Sequence, residues 1–200
     1  MPRAFSPAES NAIRARLLEV GRGAIASIGL RKTTIGSLAR GAGISQGAYY
    51  LFFDSKEALL IEVLRRAEAD ARRRLDEVVR SGTLQEVIAT IFAAIPSNPL
   101  LLWLADPDEL GWLVRVLGPT FMTEARASDE AYFAGVWRQL RKRGLLAPDV
   151  DPHVFDSLAL VALGVAQQRE ALGEVRFPQT VRLLVEATAL RLSSGKRSTR

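Results

Sequence analysis

Residues 33–57 read TTIGSLARGAGISQGAYYLFFDSKE, and this window constrains the fold of the chain most tightly. Two short helical patterns meet at a tight turn around Gly43, and a third helix start follows at Asp54-Ser55-Lys56-Glu57. Ile35, Leu38, Ala39, Ile44 and Phe53 recur at helical spacing and predict a small shared core. Gly43 suits the positive φ that such a turn needs. Two short helices joined by a Gly-containing turn make a helix-turn-helix, whose second helix enters the DNA major groove.

The charge distribution agrees with that reading. Residues 1–56 carry eight Lys/Arg against three acids, a net of +5, whereas residues 57–200 carry nineteen of each. The whole excess lies on the segment that holds the helix-turn-helix, as phosphate neutralisation requires. The chain lacks cysteine, which excludes disulfides and zinc-thiolate sites. No apolar run reaches the ~20 residues of a membrane span, and residues 1–11 lack a signal-like apolar stretch. A soluble cytoplasmic protein without membrane partners is expected.

The remainder reads as helix throughout. Ser6-Pro7-Ala8-Glu9 sets a cap, a first-turn proline and a capping-box glutamate in order, for a helix that Gly29 should stop. A long helix is expected from Asp54 or Ser55 to about Arg80, joining two domains. Thr83 with Glu86 predicts a further capping box, and Pro96 ends that helix. Asp106-Pro107 and Gly118-Pro119 start two more, the second ending at Gly144. Helices over 152–172 and 177–193 follow, and the tail 194–200 should fray. The expected fold is all-α, with nine or ten helices: a helix-turn-helix domain over 1–56 and a helical domain over 57–193.

The window resembles that of the TetR-type transcriptional regulators. Thr33, Thr34, Ile35, Leu38, Ala39, Ala42, Gly43, Ile44, Ser45, Gly47, Tyr50, Phe53, Ser55, Lys56 and Glu57 stand where that family's pattern places such residues. The resemblance implies a ligand-responsive DNA-binding regulator, usually a repressor. Its implied partners are a double-stranded, palindromic operator, a small-molecule effector and a second copy of the chain. Gly36, Gln46 and Phe52 depart from the pattern, in which basic residues or histidine are common. Gly36 and the absence of Lys at 46 leave open a second reading, a helical ligand-binding or adaptor protein without sequence-specific DNA binding.

The expected DNA-facing residues are Thr33, Thr34, Ser37, Ser45, Gln46, Gly47, Tyr49, Tyr50 and Lys56. Thr33 and Thr34 can cap the first short helix, alone or together with a phosphate. Ser45 caps the second, whose first turn presents Gln46, a side chain able to bind adenine through two hydrogen bonds. Gly47 allows close approach of the backbone to DNA. Tyr50 lies one turn beyond Gln46, and the resemblance implies that its hydroxyl bonds phosphate. Tyr49 either packs on the preceding helix or touches a base or sugar. Lys56 opposes the dipole of its own helix, which a phosphate between the two would explain.

Seven of the fourteen aromatic residues fall between 92 and 137: Phe92, Trp103, Trp112, Phe121, Tyr132, Phe133 and Trp137. Together they suggest an apolar, aromatic-lined effector cavity. Arg115, Glu124, Arg126 and Gln139 are candidate polar groups for it. Leu158, Val161, Val165, Val181 and Leu184, interleaved with small residues, suit a helix-pair interface, and the resemblance implies a dimeric four-helix bundle. Effector binding would move the long connecting helix and change the spacing of two reading heads. Gly21-Arg22-Gly23 matches part of a dinucleotide fingerprint, but no strand precedes it. His153, the only histidine, sits among acids at a helix start. No nucleophile–base pair, metal set or cofactor motif emerges, and no enzymatic activity is expected.

Overall fold

The computed structural model describes residues 5–103 and 106–193. Among them the chain forms nine helices: α1 (Pro7–Lys32), α2 (Ile35–Gly41), α3 (Gln46–Tyr49), α4 (Lys56–Ser81), α5 (Leu84–Ala94), α6 (Pro99–Leu102), α7 (Pro107–Lys142), α8 (Val154–Gln167) and α9 (Arg169–Leu192). The only bridge of β type among the described residues joins Leu146 to Ser193. The all-α expectation holds, while the tail 194–200 lies outside the described residues.

The helix starts follow local chemistry. The Ser6 hydroxyl accepts from the Glu9 amide and the Glu9 carboxylate accepts from the Ser6 amide, a reciprocal box at the start of α1. Thr83 and Glu86 repeat it at α5. In both, the hydrogen bond from the cap's backbone amide holds the carboxylate below its ordinary pKa. Two breaks fall at the expected glycines and one does not. Gly29, at φ 84° and ψ 174°, breaks the long helix at the expected place, and a single further turn of α1 follows it. Gly118, at φ 75° and ψ 172°, likewise divides α7 into two helical stretches, the second opening at Pro119 as expected. α8 stops at Gln167 and not near 172, because the chain turns at Gln168; Gly173 then breaks the start of α9.

Two compact units result, and their limits differ from those read off the sequence. The first comprises Met1–Ala69 and Pro99–Val116, the second Asp70–Asn98 and Leu117–Arg200. Helices α4 and α7 each run through both units. In the first unit Leu17, Leu18, Ile25, Leu38, Tyr49, Leu59 and Leu60 are buried and form its interior. A Cβ on Gly21 would stand 2.5 Å from Leu59 Cδ2, and one on Gly41 would stand 2.6 Å from Val20 Cγ1. These two glycines therefore serve close helix crossings, and Gly21 has no need of a nucleotide to explain it. In the second unit α5 packs on α8 and α9. Val87, Ile88, Phe92, Leu140, Phe155 and Val185 lie at the centre of its core.

Candidate nucleic-acid interface

The reading head is built on α1. Arg14 donates to the Phe52 carbonyl at 2.9 Å, pairs with Glu62 and lies over the Phe53 ring. Arg16 donates to the Ala42 carbonyl at 3.3 Å. Two guanidinium groups thus hold the carbonyls just beyond α3 and α2, where helix dipoles favour cations. Sequence reasoning missed both, because no local pattern reveals which distant carbonyl an arginine reaches.

The outward face is formed by the first turns of α2 and α3. Thr34 caps α2, and its hydroxyl accepts from the Ser37 amide at 3.2 Å while the Ser37 hydroxyl donates to the Thr34 carbonyl at 2.7 Å. Ser45 caps α3 by accepting from the Ala48 amide at 3.1 Å. Thr34, Ser37, Ser45, Gln46, Gly47 and Tyr50 are all exposed. A Cβ on Gly47 would meet nothing closer than the Ser45 Oγ at 4.0 Å, and one on Gly36 would stand 3.6 Å from Gln46 Oε1. Among the described residues, packing demands neither glycine. A groove of about 950 Å³ opens beside α3, between Phe5, Arg14, Gly43, Ser45, Gly47 and Leu51.

Three of the expected contacts are placed otherwise. Thr33 is 1% exposed, and its hydroxyl donates to the Gly29 carbonyl at 2.8 Å. It secures the end of α1 and presents nothing outward. Tyr49 is 0% exposed, and its hydroxyl donates to the Ser55 carbonyl at 3.0 Å. Burial, then the Glu57 charge, push its phenol well above the ordinary range, so it remains a neutral donor. Of its two open readings, packing is the one observed. Lys56 Nζ donates to the Leu30 and Arg31 carbonyls, each at 3.3 Å, and sits 4.9 Å from the Trp112 ring centroid. Its charge opposes the dipole of α4 but complements the C-terminal end of α1, which explains the cation without a phosphate.

The seven aromatics do not share one unit. Trp103 and Trp112 belong to the first, where the Trp103 ring covers Gly29 and the Trp112 ring underlies Lys56. Phe92, Phe121, Tyr132, Phe133 and Trp137 belong to the second. Phe92 is core. The Tyr132 hydroxyl lies 3.0 Å from both the Arg72 carbonyl and Asp76 Oδ1, and its ring meets Phe133 edge-on. Burial, then the Asp76 hydrogen bond, raise its pKa well above the ordinary range. Trp137 Nε1 donates to the Val150 carbonyl at 3.2 Å. Arg126 pairs with Glu130 at 3.2 Å.

On the last two helices, Leu158, Val165, Val181 and Leu184 are partly covered by their own unit's core. Val161, at 50% exposure, is the expected interface residue that stands out. Leu160, Leu183 and Leu190 are exposed as well, although the sequence reading did not single out Leu160 or Leu183. Leu183, Ala187 and Leu190 follow at i, i+4 and i+7 along one strip of α9.

Residues 17–63 match the family described as bacterial regulatory proteins, tetR family. The HTH-type transcriptional repressor KstR2 of Rhodococcus jostii (strain RHA1) is 32% identical over 143 residues, 69% of this chain and 70% of that one. KstR2 of Mycobacterium tuberculosis (strain CDC 1551 / Oshkosh) is 46% identical over 146 residues, covering 70% of this chain and 72% of its own. The solved structure of KstR2 of Mycobacterium tuberculosis, described as a ketosteroid transcriptional regulator, superposes with a TM-score of 0.58. That superposition covers 90% of this chain and 94% of the other at 23% identity, a likeness of fold.

Proposed function

The chain belongs to the tetR family of bacterial regulatory proteins, and from that premise we propose that it is a ligand-responsive repressor reading an operator with α2 and α3. The observation that carries the reading is the outward face of the first unit. Gln46 and Tyr50 stand exposed over a buried apolar interior, flanked by the Thr34 and Ser45 caps. Gly36 and Gly47 carry no side chain beside them, and no packing among the described residues demands that. A bare helix start admits the DNA backbone closely, and Gln46 meets base edges. Thr34, Ser37, Ser45 and Tyr50 supply hydroxyls to phosphates. Thr33, Tyr49 and Lys56 act from behind, in support of this face.

The effector occupies the second unit, against Phe121, Tyr132, Phe133 and Trp137. A polycyclic apolar compound is the first class to try, since one relative is described as a ketosteroid regulator. Because α4 and α7 belong to both units, a change in the second has two covalent routes to the first. Two copies pair through α8 and α9, covering Val161, Leu183 and Leu190. Among the described residues no helix is long and apolar enough to cross a membrane. The proposed role is regulatory and involves no catalysis.

A titration of the duplex upstream of the chain's own gene, at several salt concentrations, tests this reading. The expected result is tighter binding than to a scrambled duplex, with log K falling as log salt rises. Equal affinity for both duplexes would favour the adaptor reading instead.

A further inference from the structure

We infer that Lys56 and Glu109 are positioning residues for operator reading, closing a two-ended clamp on the single helical turn that leads into α2. The inference rests on the DNA-binding role proposed above. It starts at Gly29, whose φ of 84° and ψ of 174° interrupt α1. Beyond that break the amides of Leu30 and Arg31 begin a new turn and lack the partners that an unbroken helix would give them. The Glu109 carboxylate fills the need, accepting from the Leu30 amide at 3.1 Å and the Arg31 amide at 3.3 Å.

The same two residues are held from the other side. Their carbonyls accept from Lys56 Nζ at 3.3 Å each. A carboxylate therefore sits at the amide end of the turn and an ammonium at its carbonyl end, the polarity its dipole favours. Glu109 is buried, and Lys56 is half-buried against Trp112. Trp103 closes the remaining side, where a Cβ on Gly29 would stand 3.1 Å from the ring. Thr33 then ties the turn back to the Gly29 carbonyl, and Thr34 begins α2. The entry angle of α2, and with it the placing of Gln46, is fixed by two charges outside the reading helices. Glu109 lies in the segment Pro99–Val116, far along the chain from the helix-turn-helix.

The test measures operator and scrambled-duplex affinities across a salt series for Lys56→Ala, Lys56→Arg, Glu109→Gln and the Lys56→Ala/Glu109→Gln pair. Each of Lys56→Ala and Glu109→Gln should weaken operator binding by about tenfold, as loss of a charge-assisted bond implies. Scrambled-duplex affinity and the salt slope should stay unchanged, and Lys56→Arg should restore most of the loss. The pair should lose less than the product of the single losses, because both charges hold one turn. A salt slope lower by about 1 for Lys56→Ala would make Lys56 a phosphate contact and overturn the clamp. So would multiplying effects, or unaltered operator binding. Hydrogen exchange decides the matter independently of DNA: in Glu109→Gln the Leu30 and Arg31 amides should lose protection while the α4 core keeps it. If those amides stay protected, the clamp fails even where operator binding succeeds. If they lose protection but no duplex is preferred, the operator role fails and the positioning assignment falls with it.

Discussion

Gln46 and two glycines of α1 carry the sharpest consequences among single residues. Gln46→Ala should cost specific binding about 1–3 kcal/mol and relax preference at one base pair per half-site, as direct readout requires. Parallel loss of specific and nonspecific affinity would remove Gln46 from the bases. Two glycines of α1, two residues apart, should behave oppositely. A methyl at Gly21 meets the fully buried Leu59, so Gly21→Ala should destabilise by about 1–3 kcal/mol through overpacking. A methyl at Gly23 meets nothing within 4 Å, so Gly23→Ala should stabilise by about 0.5–1 kcal/mol through helix propensity. Thermal melts of the two variants check the pair, and equal shifts would contradict the crossing of α1 and α4. The two arginines that hold α2 and α3 were invisible in sequence, whereas the inward packing of Tyr49 was one of the two readings its position allowed. Periodicity tells which residues share a face, but a helix touching neighbours on two sides has two inward faces.

At the scale of elements, caps and breaks were the legible part. Ser6 with Glu9 and Thr83 with Glu86 form the boxes their spacing implies. Gly29, Gly118 and Gly173 break the helical backbone at positive φ where the sequence places a stop, a start and a divide, and helix resumes directly beyond each. Thr83→Ala should destabilise the chain by about 1 kcal/mol, the usual cost of an N-cap. The same box has a pH signature. The folded carboxylate of Glu86 titrates below its unfolded value, because it accepts from the Thr83 amide and hydroxyl. Its contribution is therefore present above the unfolded carboxylate pKa and is lost as pH falls through the folded one. Glu86→Gln should flatten the acid side of the stability profile relative to the parent chain. An unchanged acid limb in urea titrations at stepped pH would speak against the box.

For the whole molecule, fold class and family were legible because the helix-turn-helix window is long and its spacing rigid. The partition into units was not. Pro99–Val116 lies well inside the sequence-based second domain but packs with the first unit, taking Trp103 and Trp112 with it. Aromatic clustering along a chain records composition, and only packing decides which rings share a cavity. Leu183, 67% exposed, faces away from its own unit's core, so Leu183→Arg should leave folding intact and abolish pairing. Sedimentation should then give a monomer whose operator affinity collapses, since one head spans one half-site. The most direct measurement of the central claim is selection of bound duplexes from a randomised pool, followed by sequencing. Recognition by paired α3 helices predicts an enriched inverted repeat, its halves centred about one helical turn or a multiple apart. A pool that remains random after repeated rounds with folded, dimeric protein would contradict it.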